Sequence, residues 1–160
     1  MKVLSPQSSL PYASGIVFEP HPKSEARKRS AVTLIKYLLA ARKPEVLSAH
    51  LVELLTVLLW KITEAESSKH KTRFQSQGAL RCRDKAKLRH DHVFQRARMI
   101  AALKKAAPDN VDDILKTAIA CTVTIKEHTR LSKFEVDYGW RRYRKAGIKV
   151  IDTQTGKRKI

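Results

Sequence analysis

The chain has 160 residues, 42% of them apolar, which suffices for one domain with its own core and falls short of two large ones. Its 33 Lys and Arg against 15 Asp and Glu leave a net charge of +18, a self-repulsion that an anionic polymer such as nucleic acid relieves. Two cysteines without a CxxC spacing exclude a disulfide framework and fit a reducing, cytoplasmic setting.

Residues 1–23 carry Pro6, Pro11, Pro20 and Pro22 among serines and read as an irregular, disordered arm. The start lacks the charged and continuously apolar stretches of a secretory signal, so none is expected. From Ser24, a suitable N-cap, the sequence sets Val32, Ile35, Leu38 and Leu39 at helical spacing, with Arg27, Lys28 and Arg29 opposite. Pro44 suits the first turn of a second helix over 45–62, with Leu47, Leu51, Leu54, Leu55, Leu58 and Ile62 on one face. Val46, Val52, Val57 and Leu59 make that helix apolar nearly all round, so it is central to the core or half of an interface with a protein partner or a second copy. Its apolar run is too short for a membrane span and contains His50 and Glu53; no membrane partner is expected.

Beyond Glu64 the character changes. Residues 69–105 hold 12 Lys and Arg against 2 Asp, which supplies +10 of the +18 and predicts one electropositive face. Lys71, Arg73, Arg81, Arg83, Lys87 and Arg89 are its candidate phosphate contacts, followed by Arg96 and Arg98. Phe74 is the one aromatic in 69–90, which argues against a platform for stacked bases. Residues 93–107 predict a helix with Met99, Ile100 and Leu103 inward and Arg96, Arg98, Lys104 and Lys105 outward. Pro108 stops it, and Asn110 is placed to cap the helix VDDILKTA.

IACTVT at 119–124 is β-branched and predicts a strand, and Thr124 to Glu127 have the form of a capping box opening the helix IKEHTRLSKF. A last helix, GWRRYRKA, ends at Gly147 and leads into the strand IKVID; TQTG is a turn and GKRKI a basic tail. Trp140, Tyr143 and Ile148 read as core anchors, while Arg141, Arg142, Arg144 and Lys145 read as a second phosphate-facing strip. The expected fold is mainly α with a small β component (α+β): one helix-rich domain over 24–152, with the arm before it and a tail at 153–160.

The stretch LRHDHVFQR concentrates His90, Asp91 and His92 within the basic region. In an extended backbone His90 and His92 point to one face and Asp91 to the other. An HxH pair can hold a metal, with His128 as a third donor; alternatively, Asp91 caps a helix starting at His92. The pair Asp91-His92, followed by a helical stretch, a short strand and a helix bearing His128, resembles the HNH (His-Me finger) endonucleases. The resemblance implies Asp91 and His128 as ligands of a divalent Mg, Mn or Zn ion and His92 as the general base; the HxH spacing offers His90 as an alternative ligand. HNH fingers have a β-hairpin after that histidine, where VFQRARMIAALKKAA reads as helix. More widely, LLWKITEA, TRFQSQGAL, LRHDHVFQR, ACTVTIKEHTRL and GWRRYRKAGIKVID resemble a family of small bacterial proteins. That resemblance implies one continuous domain and carries no activity.

Three functions follow as expectations. The first is a basic bacterial nucleic-acid-binding protein that contacts the phosphate backbone through 69–105 and 141–145, as a subunit of a larger complex or alone. The second is an HNH-like metal-dependent endonuclease, and the third a non-catalytic adaptor. No P-loop, dinucleotide fingerprint or Ser-His-Asp arrangement is present.

Overall fold

The computed structural model describes residues 18–41, 43–67 and 69–160. Its elements in chain order are α1 (Ser24–Ala40), α2 (Ser48–Glu64), β1 (Phe74–Ser76), α3 (Gln77–Arg81), β2 (Leu88–His92), α4 (Arg96–Leu103) and α5 (Val111–Leu115). There follow β3 (Ala120–Thr124), α6 (Ile125–Leu131), α7 (Trp140–Lys145), β4 (Val150–Asp152) and β5 (Lys157–Arg158). The architecture is α+β, and among the described residues no helix is long and apolar enough to cross a membrane. Residues 1–17 of the expected arm lie outside the described residues. After them, Phe18 N–H donates to the Thr153 carbonyl and His21 N–H to the Glu66 carbonyl.

The helical spacing read in α1, α2 and α4 builds one apolar cluster. Ile35, Leu55 and Leu59 are fully buried in it, and Met99, Leu103 and Val111 close it from α4 and α5. Several local details differ from the sequence reading. Ser24 is the first helical residue rather than the cap, and Lys23 precedes it without a side-chain bond. Pro44 lies in a turn ahead of α2, whose N-cap is Leu47. The buried stripe of α2 runs through Leu51, Leu55, Leu59 and Ile62, whereas Leu47 and Leu54 face solvent together with Val57. Asn110 sits at the N-cap of α5 without a side-chain bond.

Among the described residues a five-stranded sheet forms the second layer, in the order β2-β3-β1-β4-β5. β1 and β3 run parallel, and each of the other neighbouring pairs is antiparallel. The strand expected over 119–124 and the capping box after it are both present: Thr124 Oγ1 accepts from Glu127 N–H, and Glu127 reaches back to Thr124 N–H. Residues 157–158, read as tail, pair with β4 and make the sheet's edge strand instead. The helix after Asp91 starts only at Arg96; Asp91 belongs to β2 and caps nothing.

One face of the sheet carries Cys121, Val123 and Val150 and packs on Leu131 of α6 and Tyr143 of α7. Gly139 enters α7 with φ 64°, where a Cβ would come within 2.5 Å of the Phe94 ring; only glycine lets the chain turn there. The opposite face is polar and lies beneath the end of α2, where Thr63 meets both His90 and His92.

Candidate nucleic-acid interface

Strand β2 presents its side chains alternately to the two faces, and Asp91 enters the α6–α7 side. Its carboxylate is 6% exposed, and Oδ2 accepts short hydrogen bonds from Arg142 Nη2 and from the Tyr143 hydroxyl. Arg142 also donates to the His92 carbonyl at 3.0 Å. Oδ1 faces the half-exposed His128, whose Nε2 is 3.6 Å away. Burial raises the Asp91 carboxyl above the usual aspartate range, opposed by the charge of Arg142 and the Tyr143 hydrogen bond. The same burial lifts the Tyr143 phenol and the Cys121 thiol well above their ordinary values.

His90 and His92 turn the other way. Their rings lie 4.6 and 4.7 Å from the Trp60 ring, and Arg96 stacks on that indole at 5.1 Å. His90 Nδ1 stands 2.9 Å from the Lys69 carbonyl and Nε2 3.0 Å from Thr63 Oγ1, while His92 Nε2 is 3.3 Å from the same hydroxyl. Neutral rings satisfy these contacts in one arrangement. His90 Nδ1–H donates to the Lys69 carbonyl and His92 Nε2–H to Thr63 Oγ1, while the single Thr63 hydroxyl proton is shared among His90 Nε2 and the carbonyls of Leu59 and Trp60 at 3.3 and 3.2 Å. Burial lowers both imidazoles, His92 to about 3, where the charges of His90, Arg96 and Arg142 add to the effect.

The residues singled out in LRHDHVFQR are therefore divided. Asp91 and His128 are brought together, but His92, expected as their general base, is on the far side of the strand with a strongly lowered proton affinity. His90 shares that far side. Among the described residues no group of three His, Cys, Asp or Glu side chains is arranged to hold a metal ion. A guanidinium already neutralises the Asp91 carboxylate. These residues do not fit a resident divalent ion, and no hydrolytic step follows from them.

The exposed chemistry lies just before Asp91. From Arg81 to Arg89 every second residue is a cation, Arg81, Arg83, Lys85, Lys87 and Arg89, and all five are exposed. Asp84 is the single acid among them. His70 lies beside this ridge: burial lowers its proton affinity first, and Lys69, Arg89 and Lys85 lower it further, so their fields converge on one imidazole. Lys85 was not among the expected contacts; the i, i+2 alternation of charge is the signal that includes it.

The other expected contacts differ in what they offer. Lys71 and Arg144 are exposed. Arg73 is held bidentate by Asp152 at 2.9 and 2.6 Å, and the pair lowers the Asp152 carboxyl. Arg96 is half-buried on Trp60, and Arg98 donates to the carbonyls of Glu135 and Val136. Arg141 and Lys145 flank Asp137 at 3.1 and 2.9 Å. Arg142 corrects the expectation of a second phosphate-facing strip: it is buried and committed to Asp91. No protein-family model, curated protein or solved structure matches this chain.

Proposed function

We propose that this is a bacterial, cytoplasmic nucleic-acid-binding protein that grips the phosphate backbone through the ridge Arg81–Arg89, with Lys71 and the exposed Arg144 as further cations. The observation that carries the reading is the exposure of five alternating cations on one short segment of a chain with net charge +18. Neutralising phosphates releases condensed counterions, and this supplies affinity without reading bases. The free thiols of Cys82 and Cys121 suit a reducing compartment. Reversing two charges tests the assignment to this surface. Arg83→Glu with Lys87→Glu is expected to weaken binding to a labelled duplex at least tenfold at moderate salt, because two phosphate contacts become repulsions. Binding as tight as wild type places the contact elsewhere.

A further inference from the structure

We propose that Asp84 is a positioning residue that holds the Arg81–Arg89 cations in register for the phosphate backbone of a duplex nucleic acid, bound without base stacking. The inference rests on the nucleic-acid reading above and goes on to name the ligand form and the residue that orders the site.

A carboxylate in the middle of a cationic ridge opposes polyanion binding by simple electrostatics, so its presence needs another reason. Its geometry supplies one. Asp84 Oδ1 accepts from Ala86 N–H at 2.9 Å and opens the 3-10 turn Lys85–Lys87, and its carbonyl accepts from Lys87 N–H at 3.1 Å. Cys82 Sγ also donates to that carbonyl at 3.3 Å, and Cys82 N–H closes α3 on the Ala79 carbonyl. Downstream, Arg89 Nη1 donates to the carbonyls of Ala86 and Leu88 at 3.1 and 2.8 Å, which fixes the last guanidinium on the same turn. The backbone turn that spaces the cations, and the Arg89 guanidinium on it, are thus ordered before a ligand arrives, and less of the interaction energy goes into ordering them. The Lys87–Asp84 ion pair at 3.6 Å joins two exposed side chains and adds little to that ordering.

The ligand form follows from what surrounds the cations. Residues 81–89 contain no aromatic side chain. Phe74 is half-buried with Arg73 and Lys159 over its ring, and the exposed Tyr37 and Tyr138 lie on α1 and in the loop before α7. Single strands are held largely by stacking bases on aromatic rings, whereas a duplex hides its bases and presents phosphates.

Fluorescence anisotropy with a duplex of about 20 base pairs, as DNA and as RNA, and with a single strand of the same length tests both parts. Asp84→Ala and Asp84→Asn raise the net charge equally, but asparagine keeps an oxygen for Ala86 N–H. Asp84→Asn is expected to bind at least as tightly as wild type, and Asp84→Ala about three- to tenfold more weakly than Asp84→Asn. The dependence of log affinity on log salt is also expected to be shallower in Asp84→Ala, a change that a general loss of stability does not produce. Asp84→Ala binding as tightly as Asp84→Asn overturns the positioning role, and a single strand binding as tightly as both duplexes overturns the ligand form. Wild-type affinity in Arg83→Glu/Lys87→Glu would instead count against the ridge itself, so the two claims fail separately.

Discussion

The guanidinium of Arg142 neutralises the carboxylate of Asp91, two buried side chains 51 positions apart that tie α7 to β2. Each is about 6% exposed, so truncating one strips a buried charge of its ion-pair partner and leaves it only the Tyr143 hydroxyl and His128, or the His92 carbonyl. Arg142→Ala is expected to cost about 3–5 kcal/mol in urea denaturation. Arg142→Met combined with Asp91→Asn is expected to cost clearly less than the sum of the single changes. Additive losses would show that the pair contributes no coupling.

Stability should fall on acidification through the opposite face of β2. His92 is held at about 3 by burial and neighbouring charge, against about 6.5 in the unfolded chain, and His90 is shifted in the same direction. The unfolded state therefore binds protons first. The contribution is complete above pH ~6.5 and declines by about 1.4 kcal/mol per unit below it, down to about pH 3 for His92. Comparing urea midpoints at pH 7 and pH 5 in wild type and His92→Gln checks this; an equal acid sensitivity in both proteins contradicts it.

Two leucines one position apart in α2 should respond very differently. Leu55 is fully buried and Leu54 is 48% exposed. Leu55→Ala is expected to cost about 2–5 kcal/mol, and Leu54→Ala under about 0.5. Similar losses at the two sites, measured by chemical denaturation, would contradict the orientation of the helix.

Gly78 lies in α3, where alanine is ordinarily the better helix former by about 1 kcal/mol. Here a Cβ would stand 2.6 Å from Glu127 Oε1. That carboxylate is anchored by Ser76 O–H at 2.6 Å and by the N–H and hydroxyl of Thr124. Gly78→Ala is therefore expected to lower thermal stability, and an increase would show that Glu127 moves aside freely.

Features that depend on neighbouring residues were legible in the sequence. The inward Met99, Ile100 and Leu103, the Thr124–Glu127 capping box and the positive-φ Gly147 after α7 each follow from a spacing of a few positions. The sheet was not, apart from β3 and β4. β1 has three residues, too few for a period, and β2 reads as LRHDH, a polar segment that becomes a strand only by pairing with β3. Arg142 was misleading for a related reason. WRRYRK has the composition of a solvated helix face, and only Asp91, far away in the chain, draws one of its arginines inward. The alternation of His90, Asp91 and His92 follows from the extended backbone, but the elements covering each face, α2 on one side and α7 on the other, are set by tertiary packing.

Salt dependence of duplex binding tests the central claim most directly. Simultaneous contact of the five ridge cations with phosphates predicts that log affinity falls against log salt with a slope of about −4 to −5 on DNA. It also predicts a clearly shallower slope when Arg83 and Lys87 are changed to glutamate. Affinity that barely changes with salt, or an equal slope in the variant, would contradict a phosphate-binding ridge at Arg81–Arg89.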